Sequence, residues 1–204
     1  MLTIVDYNAG NLRSVKRACD AVQVDSIFSP DPDAVRKADR IIFPGVGHAK
    51  TAADTLKSSG LGQAIVEAVQ RGTPVLGICV GAQLMLDRSE EGDAQGLGVI
   101  AGTTRLFDLK DKSLKVPHIG WNAVTVSRQH ALLEGFKDGD ELYFVHSYFM
   151  DPEKEENIFA TCEYGKEFVC AIGHENVFAT QFHPEKSGRF GLDLLKRFST
   201  WEGK

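Results

Sequence analysis

Up to Gly96, short unbroken apolar runs alternate with segments whose apolar residues recur every three or four positions. Residues 2–6, 24–28 and 40–43 read as buried-type strands, the third cut off at Pro44. Residues 11–22 place Leu12, Val15, Ala18, Cys19 and Val22 on one helical face, and further helices are expected over 34–38 and 61–70. Pro74 introduces a fourth apolar run over 73–78, and 81–87, with Leu84, Met85 and Leu86, read as the helix after it. Such β–α alternation with short connections predicts an α/β fold. Its sheet is doubly wound and mostly parallel, with helices on both faces, and its sites lie beyond the carboxyl ends of the strands. After Gly96 the pattern changes to strands separated by turns, at 98–101, 123–126, 141–145, 158–163, 168–172 and 177–180. The sheet is therefore expected to be mixed, with a β-rich C-terminal half, and 188–201 closes the chain as a helix. Charged stretches at 108–115 and 151–157 read as solvated loops. No repeat or low-complexity linker interrupts the chain, which predicts a single domain over residues 1–204.

The joint between the fourth run and the helix after it carries the first chemical signal. Gly77-Ile78-Cys79-Val80-Gly81 is a G-x-C-x-G, the thiol form of a nucleophile elbow. A sharp strand-to-helix turn holds the nucleophile in a strained conformation and needs small residues two positions to either side. It also aims the sulfur at the positive end of the following helix, which favours the thiolate. The amide of Val80 is left pointing at the same place, where it can hold an oxyanion. A free cysteine is otherwise most often a small buried hydrophobe; the flanking glycines favour the reactive reading.

The elbow needs a base, and Gln181-Phe182-His183-Pro184-Glu185-Lys186-Ser187 offers one. Pro184 biases His183 toward an extended conformation, in which residues i and i+2 project to one side. His183 and Glu185 are thus expected to meet, the carboxylate selecting the imidazole tautomer and stabilising the imidazolium. Taken alone, such a pair is an ordinary surface His and Glu; beside a cysteine elbow it completes a triad. Pro44-Gly45-Val46-Gly47 ends the third strand, close to the elbow in a doubly wound sheet. Its glycines permit close backbone approach, so the amide of Val46 or Gly47 is the expected second oxyanion donor.

Composition fits a compact enzyme. The 204 residues are 43% hydrophobic and 25% charged, enough for one globular core. A net charge of −5 gives no electrostatic footprint for nucleic acid or an anionic membrane. Cys19, Cys79, Cys162 and Cys170 form no C-x-x-C pair and no zinc spacing, so neither a disulfide framework nor a metal site is indicated. The three cysteines outside the elbow are expected to be packing residues, and no cofactor is called for. The chain opens directly on a strand-like run without a basic or long apolar leader, so a cytoplasmic protein is expected.

The elbow followed by Gln83, the upstream Pro44–Gly47 and the downstream His183-Pro184-Glu185 together resemble the class I (triad-type) glutamine amidotransferases. Further stretches, 6–15, 117–122, 143–148 and 182–187, are similar to the subfamily of glutaminase subunits that serve imidazole glycerol phosphate-forming cyclases. Val80 and Ala82 stand where that family usually has Leu and Met, and Asn8-Ala9 replaces a more common Gly-Met. The resemblance implies that Cys79, His183 and Glu185 hydrolyse glutamine, with Gly47, Gln83, Glu91 and the His146-Ser147-Tyr148 backbone around the substrate. It implies a (β/α)₈-barrel cyclase as partner in a heterodimer of histidine biosynthesis, met through Asn11, His118, Trp121 and Lys186. The chain itself carries no phosphate loop and no Arg/Lys cluster around the elbow, which also points to a separate synthase. Alternatives are an amidotransferase subunit of the anthranilate or aminodeoxychorismate type, a stand-alone cysteine hydrolase, and a non-catalytic scaffold.

Overall fold

The computed structural model describes residues 1–8 and 10–204; Ala9, part of the N-terminal motif, lies outside the described residues. Strands β1 (Leu2–Val5), β2 (Ser26–Ser29), β3 (Arg40–Gly45) and β4 (Val75–Cys79) run parallel in the order β2-β1-β3-β4. Helices α1 (Leu12–Ala21), α2 (Pro32–Arg36), α3 (Ala49–Ser59) and α4 (Leu61–Gln70) connect them, and α5 (Val80–Gln83) follows β4. The winding reverses after β2, so right-handed crossovers send α1 to one face and the next helices to the other. In agreement, α1 packs on α6 (Gly188–Phe198), while α2 and α3 pack on α4.

The second half extends this sheet. β5 (Arg88–Ser89), β6 (Ala94–Gln95) and β7 (Gly102–Leu106) form its far edge. β8 (His118–Val126) and β9 (Asp140–His146) pair antiparallel and join the sheet through β11 (Ile158–Glu163). β10 (Tyr148–Pro152) and β12 (Glu167–His174) are antiparallel bridges, and β13 (Val177–Thr180) returns parallel to β4. That return puts the segment after β13 beside the carboxyl end of β4.

Helix 61–70 and strands 158–163 and 177–180 have the bounds the pattern gives them. Three expectations need correction. Pro44 does not end the third strand, because β1 pairs with β3 only as far as Ile42 and a missing donor beyond that point breaks no ladder bond there. The helix expected over 81–87 is only α5, one turn long. The carbonyls of Leu84, Met85 and Leu86 instead accept amides from 97–100, which holds this apolar run as a buried loop. The same bonds account for 98–101 not being a strand; the strand starts at Gly102. Helix α3 and strand β10 had no clear signal. The buried face of α3 is Ala49, Ala52 and Leu56, too small to stand out as periodic, and β10 takes in Asp151, which read as loop.

Candidate active site

Gly45 is in register with Cys79, and Ile78 with Thr180, so the ends of β3, β4 and β13 converge on one point. Cys79 sits there with φ 54° and ψ −110°, a conformation that costs an ordinary residue about 1–3 kcal/mol and persists because the surroundings over-determine it. The flanking glycines show what enforces it. A Cβ on Gly81 would lie 1.9 Å from the carbonyl oxygen of Phe43, and one on Gly77 would lie 3.0 Å from the Cα of Ala82. Val80 is the first residue of α5, and the first amides of a helix have no intrahelical partner. With only one turn behind it, the dipole of α5 adds little; the free amide itself is what the elbow supplies.

His183 follows β13 on a buried segment. Its amide donates to the carbonyl of Tyr143 (2.9 Å), and the Ser187 hydroxyl donates to the His183 carbonyl (2.7 Å) while accepting from the Tyr143 amide (3.0 Å). Ser187 therefore clamps the base to β9, a role the sequence reading did not give it. His183 Nδ1 lies 2.8 Å from Glu185 Oε1, with both side chains fully buried. A carboxylate accepts, so Nδ1 carries the proton and Nε2 is left for other work. Nε2 is buried with no hydrogen-bond partner. Pro184–Lys186 is a 3₁₀ turn, so the two side chains meet across a turn and not along an extended strand as the i, i+2 argument had it.

Asn11, expected at a partner surface, is buried and donates through Nδ2 to the same Glu185 oxygen (3.0 Å). Burial pulls the imidazole of His183 down, but the neighbouring Cys79 and the bonded carboxylate of Glu185 outweigh it and raise its pKa to about 10. Burial pushes Glu185 up; bonding and charge from His183, together with Asn11, more than offset this and hold it below the usual carboxylate range. The buried carboxylate thus favours the protonated form of His183.

A cavity of about 210 Å³ opens over Cys79. Val46, Gly47, Val80, Gln83, Glu91, His146, Ser147 and Tyr148, each anticipated for oxyanion or substrate, all line it, and Pro117 and Val145 add walls that were not. Gly47 has φ 98°, open to glycine alone at little cost. Gln83 Nε2 donates to the Tyr148 carbonyl (2.9 Å) and to Gln181 Oε1 (3.1 Å), so its amide protons are spent and its oxygen remains to accept from a ligand. Glu91 is oriented by the Ala49 amide, 2.6 Å from its Oε2. A larger cavity of about 590 Å³ between α3, α4 and 93–97 lies away from these groups.

Of the four expected interface residues, Trp121 (52% exposed) and Lys186 reach the surface, and Lys186 Nζ lies 5.5 Å from the Tyr143 ring centroid. His118 is buried like Asn11. It stacks on Tyr164 at 4.0 Å and bonds His146 at 3.2 Å, so neither His118 nor Asn11 is a direct surface contact. Among the described residues no cluster of His, Cys, Asp and Glu could hold a metal ion, and no helix is long and apolar enough to cross a membrane.

Residues 3–200 match the family of glutamine amidotransferase class-I domains. The imidazole glycerol phosphate synthase subunit HisH of Nitratidesulfovibrio vulgaris (strain DP4) is 47% identical over 203 residues, covering 97% of this chain and 95% of its own length. The same-named subunit of Neisseria gonorrhoeae is 45% identical over 209 residues, covering 97% and 98%. Among solved structures, a putative GMP synthase protein from Thermoplasma acidophilum matches with TM-score 0.73 at 20% identity, covering 98% of this chain and 92% of that one. The PurLQS structure from Thermotoga maritima matches with TM-score 0.72 at 19% identity, covering 97% and 96%. At such identities these two bear on the fold alone.

Proposed function

The chain belongs to the class-I glutamine amidotransferases, and from that membership we propose that it is the glutaminase subunit of an imidazole glycerol phosphate synthase. The observation that carries the reading is the buried Glu185–His183 pair at 2.8 Å, whose unpartnered Nε2 lies in the cluster with an elbow cysteine.

The Cys79 thiolate attacks the carboxamide carbon of glutamine, and the carbonyl electron pair moves onto oxygen. The Val80 amide, with that of Val46 or Gly47, holds this oxyanion; one such donor is worth roughly 10²–10³ in rate. His183 gives its Nε2 proton to the nitrogen as the C–N bond breaks, releasing ammonia and leaving a thioester. Water then attacks while His183 takes back a proton, and the C–S bond breaks to return the thiolate and release glutamate. Glu185 keeps Nδ1 protonated throughout and stabilises the imidazolium. Glu91 and the free oxygen of Gln83 line the same cavity and are available to bind the amino-acid end of the substrate.

Ammonia freed into water would be protonated and lost, so the acceptor enzyme must dock over the site. Ile119 (60% exposed) and Trp121 alternate to one side of β8, beside the exposed Val116. This apolar strand, with Lys186 nearby, is the surface we assign to a (β/α)₈-barrel cyclase, in a heterodimer operating in the cytoplasm. The test is Cys79→Ala in the assembled enzyme. Glutamine-dependent synthesis should fall to background while ammonia-dependent synthesis stays intact. Loss of both in a folded complex would remove the division of labour. A chain that supports anthranilate or aminodeoxychorismate formation instead would redirect the assignment to another amidotransferase subunit.

A further inference from the structure

The Gln181 side chain, fully buried, spans the gap between Gln83 and the sulfur of Cys79. The direction of these bonds is fixed from their far end. A carbonyl such as that of Tyr148 only accepts, so Gln83 must present Nε2 to it, 2.9 Å away. The second proton on that nitrogen then goes to Gln181 Oε1 at 3.1 Å, which leaves Gln181 Nε2 facing Cys79 Sγ at 3.7 Å. The other amide orientation would set two donors against each other. The backbone at this point is held by the Gln181 amide on the Cys170 carbonyl (2.8 Å) and by the Thr180 hydroxyl on the Phe182 carbonyl (3.0 Å).

We propose that Gln181 is a positioning residue for Cys79. Its amide N–H steadies the sulfur while it carries negative charge, and its oxygen ties that contact to Gln83 in the glutamine pocket. A hydrogen bond to the charged form favours that form, and more so in a site of low dielectric. The contact acts twice in the cycle, both times without giving up its proton. Before attack it favours the thiolate over the thiol. At thioester hydrolysis the electron pair of the breaking C–S bond returns to sulfur, and the same N–H receives it. The chain Tyr148–Gln83–Gln181–Cys79 also makes one wall of the pocket and the nucleophile a single hydrogen-bonded unit. A substrate that moves Gln83 therefore adjusts the donor on the sulfur.

The proposal rests on the glutaminase reading, and its test separates the two. In the complex with the synthase subunit, Gln181→Met keeps the volume and removes the donor. Alkylation of Cys79 by iodoacetamide, with loss of iodide, is followed against pH and located by peptide mapping. Cys19 and Cys162 do not interfere, because burial pushes their thiols up to about 11 and about 12. We expect the profile to move to higher pH, alkylation at neutral pH to slow about tenfold and kcat to fall in step, with ammonia-dependent synthesis unchanged. Gln181→Asn, one methylene shorter, should show the same displacement in smaller measure and carries the measurement if the methionine variant does not assemble. A residue that only packs would change stability or KM and leave the alkylation profile where it is; that result, in an assembled variant, overturns the proposal. A wild-type chain that alkylates at Cys79 but never forms glutamate would overturn the functional reading and leave the role of Gln181 measurable.

Discussion

At the scale of single residues, the triad depends on more than its three members. Glu185 can orient His183 only if its own carboxylate is held, and Asn11 supplies a bond to the oxygen that His183 uses. Removing that bond leaves a buried carboxylate short of a partner, a change worth about 1–3 kcal/mol. Asn11→Ala is therefore expected to lower kcat about tenfold with little change in KM, because Asn11 does not line the glutamine cavity. Steady-state glutaminase assays check it; a rise in KM at constant kcat would mean that Asn11 acts on substrate binding and not on the triad. The sequence showed Asn11 inside a recognisable motif but gave it the wrong place. Its place at the partner surface was implied by resemblance alone, and the fold instead sets it against Glu185, 174 positions away.

At the scale of elements, the elbow is a three-body junction of β3, β4 and α5. Gly81 touches the Phe43 carbonyl so closely that any side chain must push α5 off β3. Gly81→Ala should cost about 3 kcal/mol or more, the upper range for overpacking, and should abolish glutaminase activity by moving the Val80 amide. Denaturant unfolding with a parallel activity assay reads both; unchanged stability would mean that the junction is looser than the contact distance implies. The apolar strand β8 is the proposed docking element. Trp121→Ala should weaken association with the synthase subunit by about 2 kcal/mol, some thirtyfold, as for an aromatic anchor. Titration calorimetry decides this, and an unaltered affinity would place the interface elsewhere. The helix signal over 61–70 succeeded because its buried residues recur at helical spacing, and the strand signal over 177–180 because the whole apolar run is buried.

At the scale of the whole molecule, the buried histidines set how stability follows pH. Burial lowers His118 to about 4 and His146 to about 3, so below 6.5 the unfolded chain takes up protons that the folded one refuses. Stability therefore falls as pH drops from 6.5 toward 4. His183 has the opposite sign. Its pKa is raised to about 10, so its contribution is complete below 6.5 and is lost as pH rises toward 10. The unfolding midpoint is expected to peak near pH 6.5, and His183→Ala should flatten its fall from there to about pH 8.5, below the range in which the buried cysteines add to it. A wild-type curve level from pH 7 to about 8.5 would mean that the imidazolium is not held between Cys79 and Glu185. His118 and His146 fit this picture through their bonds. His146 Nδ1 donates to the Tyr148 carbonyl (2.7 Å), leaving Nε2 to accept from His118 Nδ1, an arrangement open only to neutral rings.

The sequence by itself determined the family and the candidate chemistry. G-x-C-x-G, Pro-Gly-Val-Gly and His-Pro-Glu are local, because an elbow, a close backbone approach and a turn each depend on residues within a few positions of one another. From them came the candidate nucleophile, base and orienter, and the alternation of apolar runs with helical periods up to Gly96 predicted the parallel body of the sheet. Only the tertiary structure decided which residues meet across long separations. Strand order brought 181–187 against Cys79, buried Asn11 on Glu185 and carried Gln181 to the sulfur. Neither Asn11 nor Gln181 has a periodic or spacing signature. Tertiary contacts also overrode local pattern at 84–86, where buried carbonyls found partners at 97–100 and the expected helix gave way to a loop. Apolar spacing records whether a residue is buried; only the packed chain settles which neighbour it is buried against.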